Sequence, residues 1–266
     1  MKIALITLSD EGANIVNRLY RSLDNSQIFL HEKVAESFGG RRFKSIITLT
    51  GQIFERYDGL VYVVPCGVAV RALSAQIKNK KTDPGVVVVD AAGRFAVSLL
   101  SGHEGEANNL AIAVCNIIGA EPVITTTTEA LKTVIAGIGC RRGAKAEAII
   151  AAIDKALELV SVERNQIRLL ASADIKMQEE GLLAAAQMLQ IPVRFISSEE
   201  IRSSGRKFDR SDFVKTKVNL PAVAEPAALL AGRRTKLILP KMKLGGVTVA
   251  LARENYLSSA SGREAS

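Results

Sequence analysis

The pattern of short apolar runs in this chain predicts an α/β protein of two domains. Three observations carry that prediction. Runs of aliphatic and β-branched residues alternate with segments of helical period, the order that builds a mainly parallel sheet. The alternation halts in a polar stretch, Thr125 to Lys132, and restarts with a fresh strand. The chain has 266 residues, 48% of them hydrophobic and 23% charged, enough for two ordinary domains, the first expected to be a Rossmann-like parallel sheet.

Lys2 to Leu8 reads as a strand, and Ser9-Asp10-Glu11 as the cap of a helix carried by Ile15, Val16, Leu19 and Leu23. Gln27 to Leu30 is a second short strand, Ser45 to Tyr57 an amphipathic helix, and Gly59 to Val64 a buried strand ending at Pro65-Cys66-Gly67. Val68 to Ile77 continues as helix and closes on Lys78-Asn79-Lys80-Lys81. The turn Thr82-Asp83-Pro84-Gly85 leads into the strand Val86 to Asp90. Ala91-Ala92-Gly93 turns back into Arg94 to Leu100, a hairpin. Ser101 to Glu106 then opens the helix Ala107 to Ile118, and Pro122 to Thr125 is the last strand of this half.

The second half begins with the strand Thr133 to Ile138, the loop Gly139 to Gly143 and the Ala-rich helix Lys145 to Val160. Ile167 to Ala171, Glu179 to Leu189 and Val193 to Ile196 follow as strand, helix and strand, with a short helix from Glu199. Arg202 to Lys217 reads as a mobile polar loop, a candidate lid. Ala222 to Leu230 is helical, two β runs at Lys236 to Leu239 and Val247 to Ala252 close the domain, and residues 256–266 form a disordered tail.

Thirty-five Lys and Arg against 27 Asp and Glu leave a net charge of +8, which favours an anionic partner. Aromatics are only 5%, Trp is absent and the basic residues are dispersed, so the stacking platforms of a nucleic-acid binder are missing. A small polycarboxylate ligand fits better. Cys66, Cys115 and Cys140 are an odd number without CxxC spacing, which argues against a disulfide framework or a cysteine metal site and fits a reducing cytoplasm. The apolar start is cut short by Ser9-Asp10-Glu11 and no later run is long enough to span a bilayer, so no membrane association is expected.

The densest polar constellation is Lys80-Lys81-Thr82-Asp83, Asp90 and Ser101-Gly102-His103-Glu104-Gly105-Glu106-Ala107-Asn108, all at turns where strands of one sheet end. An imidazole between Gly102 and Gly105 stands where a ligand can approach the backbone, suited to acid–base work. The alternative is a surface histidine in a glycine turn. Lysines and Arg71 would neutralise ligand carboxylates, while Asp83, Asp90 or Glu104 would orient His103 or activate water. Each of these also has an ordinary structural reading, Asp83 as a turn former and Asp90 as the start of a hairpin turn. Between strand and helix, Gly137-Ile138-Gly139-Cys140-Arg141-Arg142-Gly143 combines amide groups with two guanidiniums that can hold carboxylates bidentately. Its GxGxxxG spacing departs from the dinucleotide fingerprint. Cys140, beside Arg141 and a helix start, is expected to have a depressed pKa and is a second candidate nucleophile. Two distant histidines do not make a metal site, and His31 is structural or exposed. Glu225 reads as a helix-entry carboxylate.

Together, KKTDPGVVVVDAAGR, SLLSGHEGEANNLA, GAEPVITTTTE, GIGCRRG, VAEPAALLAG and LILPKMKLGGVTVALA resemble the cobalamin-biosynthesis CbiG family, the cobalt-precorrin-5A hydrolases. The resemblance spans an N-terminal domain over residues 1–130 and a C-terminal, CobE-like α/β domain over 133–255. It implies that water opens the δ-lactone of cobalt-precorrin-5A, a two-carbon fragment leaves as acetaldehyde, and cobalt-precorrin-5B results. The cobalt arrives with the substrate, so no further cofactor or metal is implied. The implied partner is the anionic cobalt-corrinoid, with neighbouring pathway enzymes and a second copy of the chain left open. Lys81, Thr82, Asp83 and Pro84 match the family's K-T-D-P turn, and Gly102, His103, Gly105, Ala107 and Asn108 its glycine–histidine loop. Gly137 to Gly143 match its C-domain loop. On that basis His103, aided by Asp83 or Glu104, activates water while loop amides stabilise the oxyanion; Lys80, Lys81, Thr82, Asp90, Ser101, Gly102, Gly105, Asn108, Gly139, Cys140, Arg141 and Arg142 hold substrate. Two features depart from the family. Glu106 stands where a second glycine is common, and the sizeable middle segment of many relatives is missing after Thr128. A non-catalytic corrinoid carrier and an anion- or nucleotide-binding regulator are the competing readings. A basic cleft between the two domains is a further expectation.

Overall fold

Ser9 sets the entry to the first unit: its hydroxyl accepts the Gly12 amide at 3.2 Å, capping α1 (Asp10–Tyr20) directly after β1 (Ile3–Thr7). A Cβ at Gly12 would lie 2.0 Å from Thr7 Oγ1, so only glycine lets the helix start this close to the strand. Six further strands follow: β2 (Ser26–His31), β3 (Arg41–Phe43), β4 (Gly59–Val63), β5 (Gly85–Val89), β6 (Phe95–Leu100) and β7 (Glu121–Val123). They assemble in the order β3-β2-β1-β4-β5-β6-β7. The first five are parallel, β6 runs antiparallel to β5, and β7 is parallel to β6.

Helices cover both faces, which is why β1, β4 and β5 are buried throughout rather than alternating. Leu5, Val61 and Val87 pack with Val16 and Leu19 of α1 and with Leu110 and Val114 of α4 (Ala107–Ile118). On the other face Ile6, Tyr62 and Val88 meet Leu49 and Ile53 of α2 (Ile46–Ile53) and Leu73 of α3 (Cys66–Leu73).

The chain, a computed structural model described over residues 1–204 and 223–256, divides into two compact units after Thr126. The second unit opens with α5 (Thr127–Ala130) and carries β8 (Val134–Cys140), α6 (Ala146–Leu159), β9 (Ile167–Ala173), α7 (Glu180–Leu189), β10 (Val193–Ile196) and α8 (Ser198–Ser203). Helix α9 (Ala224–Leu230) and the hairpin β11 (Thr235–Leu244) and β12 (Val247–Glu254) complete its described elements. Strand order is β10-β9-β8-β12-β11; β8 to β10 are parallel, and β12 is antiparallel to both β8 and β11. Ile149, Ile153 and Leu157 of α6 and Leu182 of α7 fill one face. Ala224, Ala227 and Ala228 of α9 cover the other, and a Cβ on Gly137 of β8 would meet the Ala224 carbonyl at 1.9 Å. Small residues on both sides of that contact let helix and sheet touch backbone to backbone.

The mixed α/β class and the element order match the sequence expectation; several boundaries do not. The helix read as Ser45 to Tyr57 stops at Ile53, because Phe54 and Tyr57 bury their rings from a turn that imitates helical spacing. The helix read from Val68 begins at Cys66, with Pro65 at its cap, and ends at Leu73. Strand β3 escaped notice because two of its three residues are arginine. The candidate lid, beyond Ser204, and the tail beyond Tyr256 lie outside the described residues. His31 is structural: Nε2 meets the Lys44 carbonyl at 3.0 Å, Nδ1 accepts the Lys33 amide, and the ring stands edge-on to Phe43.

Candidate functional site

Strand β6 runs back along β5, so the loop that follows it, Ser101 to Glu106, returns to the edge where β5 begins. There Gly85 and Gly105 cross so closely that a Cβ on Gly85 would sit 2.1 Å from the Gly105 carbonyl, and one on Gly105 would sit 2.7 Å from the Gly85 amide. The crossing joins the Lys80–Asp83 turn to the histidine loop. Lys80 Nζ reaches Glu104 Oε1 at 3.2 Å across the join, on the exposed side where His103 also stands.

The loop is tied from within. Gly105 and Ala107 amides both donate to the Ser101 carbonyl, Glu106 donates to His103 and Asn108 to Gly102. Below it, Asn108 is buried: Oδ1 accepts the Ser98 hydroxyl at 2.8 Å and Nδ2 donates to Thr126 Oγ1 at 3.1 Å. Ser101 (φ 54°) and Glu106 (φ 59°) are both left-handed without being glycine, and the Ser101 hydroxyl is enclosed with no hydrogen-bond partner among the described residues. Such strain persists only where surrounding bonds over-determine the backbone. Glu106 thus occupies a position that glycine would fill at lower cost.

Glu104 is held ionised below the usual carboxylate range, by its own backbone amide first and the Lys80 ammonium second. Asp83 behaves differently from expectation. It is 6% exposed, and its Oδ2 accepts the Lys78 and Asn79 amides at 2.9 and 3.0 Å. The carboxylate braces the turn that presents Lys80, Lys81 and Thr82, all exposed.

Asp90 is a second correction. It lies at the far end of the same hairpin, on the opposite sheet edge from His103. Burial pushes its carboxyl up, but bonds from the Phe95 amide and from Arg94 side chain and amide outweigh that and hold it low. It is a turn former, the alternative its sequence left open. Arg71 donates to the Gly67 carbonyl of its own helix.

In the second unit, Gly139 and Cys140, expected in the loop, are the last residues of β8, and Arg141 and Arg142 follow its carboxyl end. The Gly143 amide donates to Glu179 Oε2 at 3.2 Å, and Lys176 Nζ holds Glu179 Oε1 at 2.8 Å. The loop's amide groups therefore already carry one internal carboxylate. Cys140 is not activated: burial is the largest influence and pushes the thiol up, with Lys176 opposing and Glu179 reinforcing. The depressed thiol expected from Arg141 and the helix start is overturned. Glu225, 4% exposed, accepts the Lys241 amide at 2.9 Å and anchors α9 to β11.

Thr126, Lys176 and Glu179 escaped the sequence reading. Glu179 is 36 positions from Gly143, so no local spacing links them; Thr126 lies within the TTTTE segment but its contact with Asn108 spans an entire helix. Among the described residues no three His, Cys, Asp or Glu side chains group to hold a metal ion, and no helix is long and apolar enough to cross a membrane.

Fold and loops define a two-unit α/β protein in which one glycine-built loop presents an imidazole and another presents paired guanidiniums. The chain belongs to the cobalamin synthesis G family: the description "Cobalamin synthesis G N-terminal" matches residues 48–129 and "Cobalamin synthesis G C-terminus" residues 134–252. It is 24% identical to a cobalt-precorrin-5A hydrolase of Priestia megaterium, covering 95% of each chain, and 25% identical to that of Salmonella typhimurium, covering 94% of this chain and 97% of the relative. It is 36% identical to Protein CobE of a Sinorhizobium species over 47% of this chain and 83% of that protein. The Priestia alignment runs over 358 positions against 266 residues here. That relative therefore carries residues with no counterpart in this chain.

Proposed function

We propose that the protein is a cobalt-precorrin-5A hydrolase of anaerobic cobalamin biosynthesis, opening the δ-lactone and releasing acetaldehyde to give cobalt-precorrin-5B. The observation that carries this reading is family membership across both halves, with hydrolases of that name aligning over 95% and 94% of the chain.

The chemistry is assigned to the histidine loop. His103 takes a proton from water as its oxygen attacks the lactone carbonyl, loop amides receive the developing oxyanion, and the ring C–O bond breaks. The hydroxyl so freed belongs to the two-carbon fragment; loss of its proton forms the C=O of acetaldehyde as the carbon–carbon bond to the macrocycle breaks, and the macrocycle keeps the electron pair. Glu104, ionised and held by Lys80, stabilises the imidazolium. Asp83 and Asn108 act from below by fixing the turn and the loop. Lys80 and Lys81 neutralise substrate carboxylates. Cobalt belongs to the substrate, and the chain adds no cofactor of its own. Three free cysteines fit a cytoplasmic setting.

The test is anaerobic incubation of the purified protein with cobalt-precorrin-5A, trapping acetaldehyde and recording product mass. Wild type is expected to release acetaldehyde, and His103→Ala to lose about 10²-fold or more in turnover while still binding corrinoid. Tight binding without release by wild type would instead make the protein a carrier.

A further inference from the structure

At the carboxyl-end edge of the second sheet, cations and exposed apolar side chains are interleaved. Strand β8 runs out into Arg141 and Arg142, both exposed and, among the described residues, without an ion-pair partner. Neighbouring β9 runs out into Asp174-Ile175-Lys176-Met177, where Ile175 is 41% and Met177 37% exposed. Lys176 between them turns inward to Glu179. On the other side, Leu244 ends β11 at 44% exposure, beside the turn whose Gly246 carbonyl accepts the Arg141 amide at 3.2 Å. From β9 to β11 is three strand spacings, about 14 Å.

We infer that this edge is the platform on which the second unit holds the macrocycle: Ile175, Met177 and Leu244 cover apolar ring surface, and Arg141 and Arg142 pair with its peripheral carboxylates. The inference rests on the proposed hydrolase reading, which supplies a flat, apolar ring with an anionic rim. Charge complementarity selects that occupant. A small acid would use the guanidiniums and leave the apolar residues wet, whereas an apolar partner would bury unpaired arginines at high cost. The carboxylates at the edge do not compete. Asp174 is bound to the Ser198 hydroxyl and amide, Glu179 to Lys176 and Gly143, and Glu147 and Glu180 lie in the first turns of α6 and α7, where the helix termini favour negative charge. Glu179 is a positioning residue: through Gly143 it fixes the loop that aims the arginines.

The platform is assigned to binding, so its variants should act on KM and leave kcat in place. With cobalt-precorrin-5A as substrate and acetaldehyde as readout, Arg141→Ala/Arg142→Ala and Ile175→Ser/Met177→Ser are each expected to raise KM roughly ten-fold with kcat within about two-fold. Added salt should raise KM for wild type and for the serine pair, but much less for the alanine pair. Circular dichroism at wild-type intensity establishes that these surface variants are folded. Unchanged KM in both pairs, with wild type turning over, overturns the platform and leaves the hydrolase standing. Absence of acetaldehyde from wild type overturns the hydrolase, and the platform's ligand with it.

Discussion

Glu106 shows how a single backbone angle can be tested independently of chemistry. At φ 59° its Cβ is strained, and an L residue there costs roughly 1–2 kcal/mol relative to an unstrained one. Glu106→Gly is therefore expected to raise stability by about 1 kcal/mol in denaturant titration, without loss of acetaldehyde release. Among the cysteines, exposure and burial make distinct predictions. Cys66 is exposed and Cys115 buried, and the half-buried Cys140 thiol is pushed up, so less of it is thiolate at pH 8. Iodoacetamide should label Cys66 well before the other two, and Cys140→Ser should retain turnover. Rapid Cys140 labelling with loss of activity would restore it as a nucleophile. The identities of these residues were readable in the sequence, but their roles were not. Asp83 and Glu104 are both acidic and adjacent to turns, yet one is spent on two backbone amides of its own turn and the other is exposed beside an ammonium.

At the scale of elements, the Gly139–Gly143 loop depends on α7 through one carboxylate. Hydrogen bonding to Lys176 is the largest cause holding Glu179 below its usual range. A depressed folded-state value means the stabilisation is complete above the unfolded carboxylate pKa, about 4.3, and disappears as pH falls through the lower folded value. Glu179→Gln should cost about 1.5–3 kcal/mol at pH 7, as expected for hydrogen bonds to a charged group. That difference should shrink towards zero as the pH is taken below about 4. Equal destabilisation at both pH values would mean the side chain acts by shape alone. Alternation of strand and helix was legible because both faces of the first sheet are covered and its central strands β1, β4 and β5 are buried throughout. The separation of Asp90 from His103 was not, although its cause lies within the hairpin the sequence displayed: the two ends of one hairpin emerge at opposite edges of the sheet. Contacts such as Gly143 to Glu179 join segments that share no spacing, so no periodicity announces them.

For the whole molecule, each unit encloses its own cores, and each is expected to unfold as a cooperative block. Gly137→Ala would drive a methyl group into the Ala224 carbonyl, an overpacking cost of about 1–3 kcal/mol confined to the second unit. Two unfolding transitions are expected in calorimetry, with the variant lowering one and leaving the other in place; a uniform shift of both would show that the blocks are thermodynamically coupled. A final consequence follows from β11, the outermost strand of the second sheet. It spans Thr235–Leu244 with two breaks in register, contains Pro240, and carries Lys236, Lys241 and Lys243. A border strand of that length would ordinarily recruit strands from other molecules. Proline removes a donor, the irregularities bend the ladder, and the ammonium groups repel an identical copy, so concentrated solutions should resist fibrillar self-association through this border.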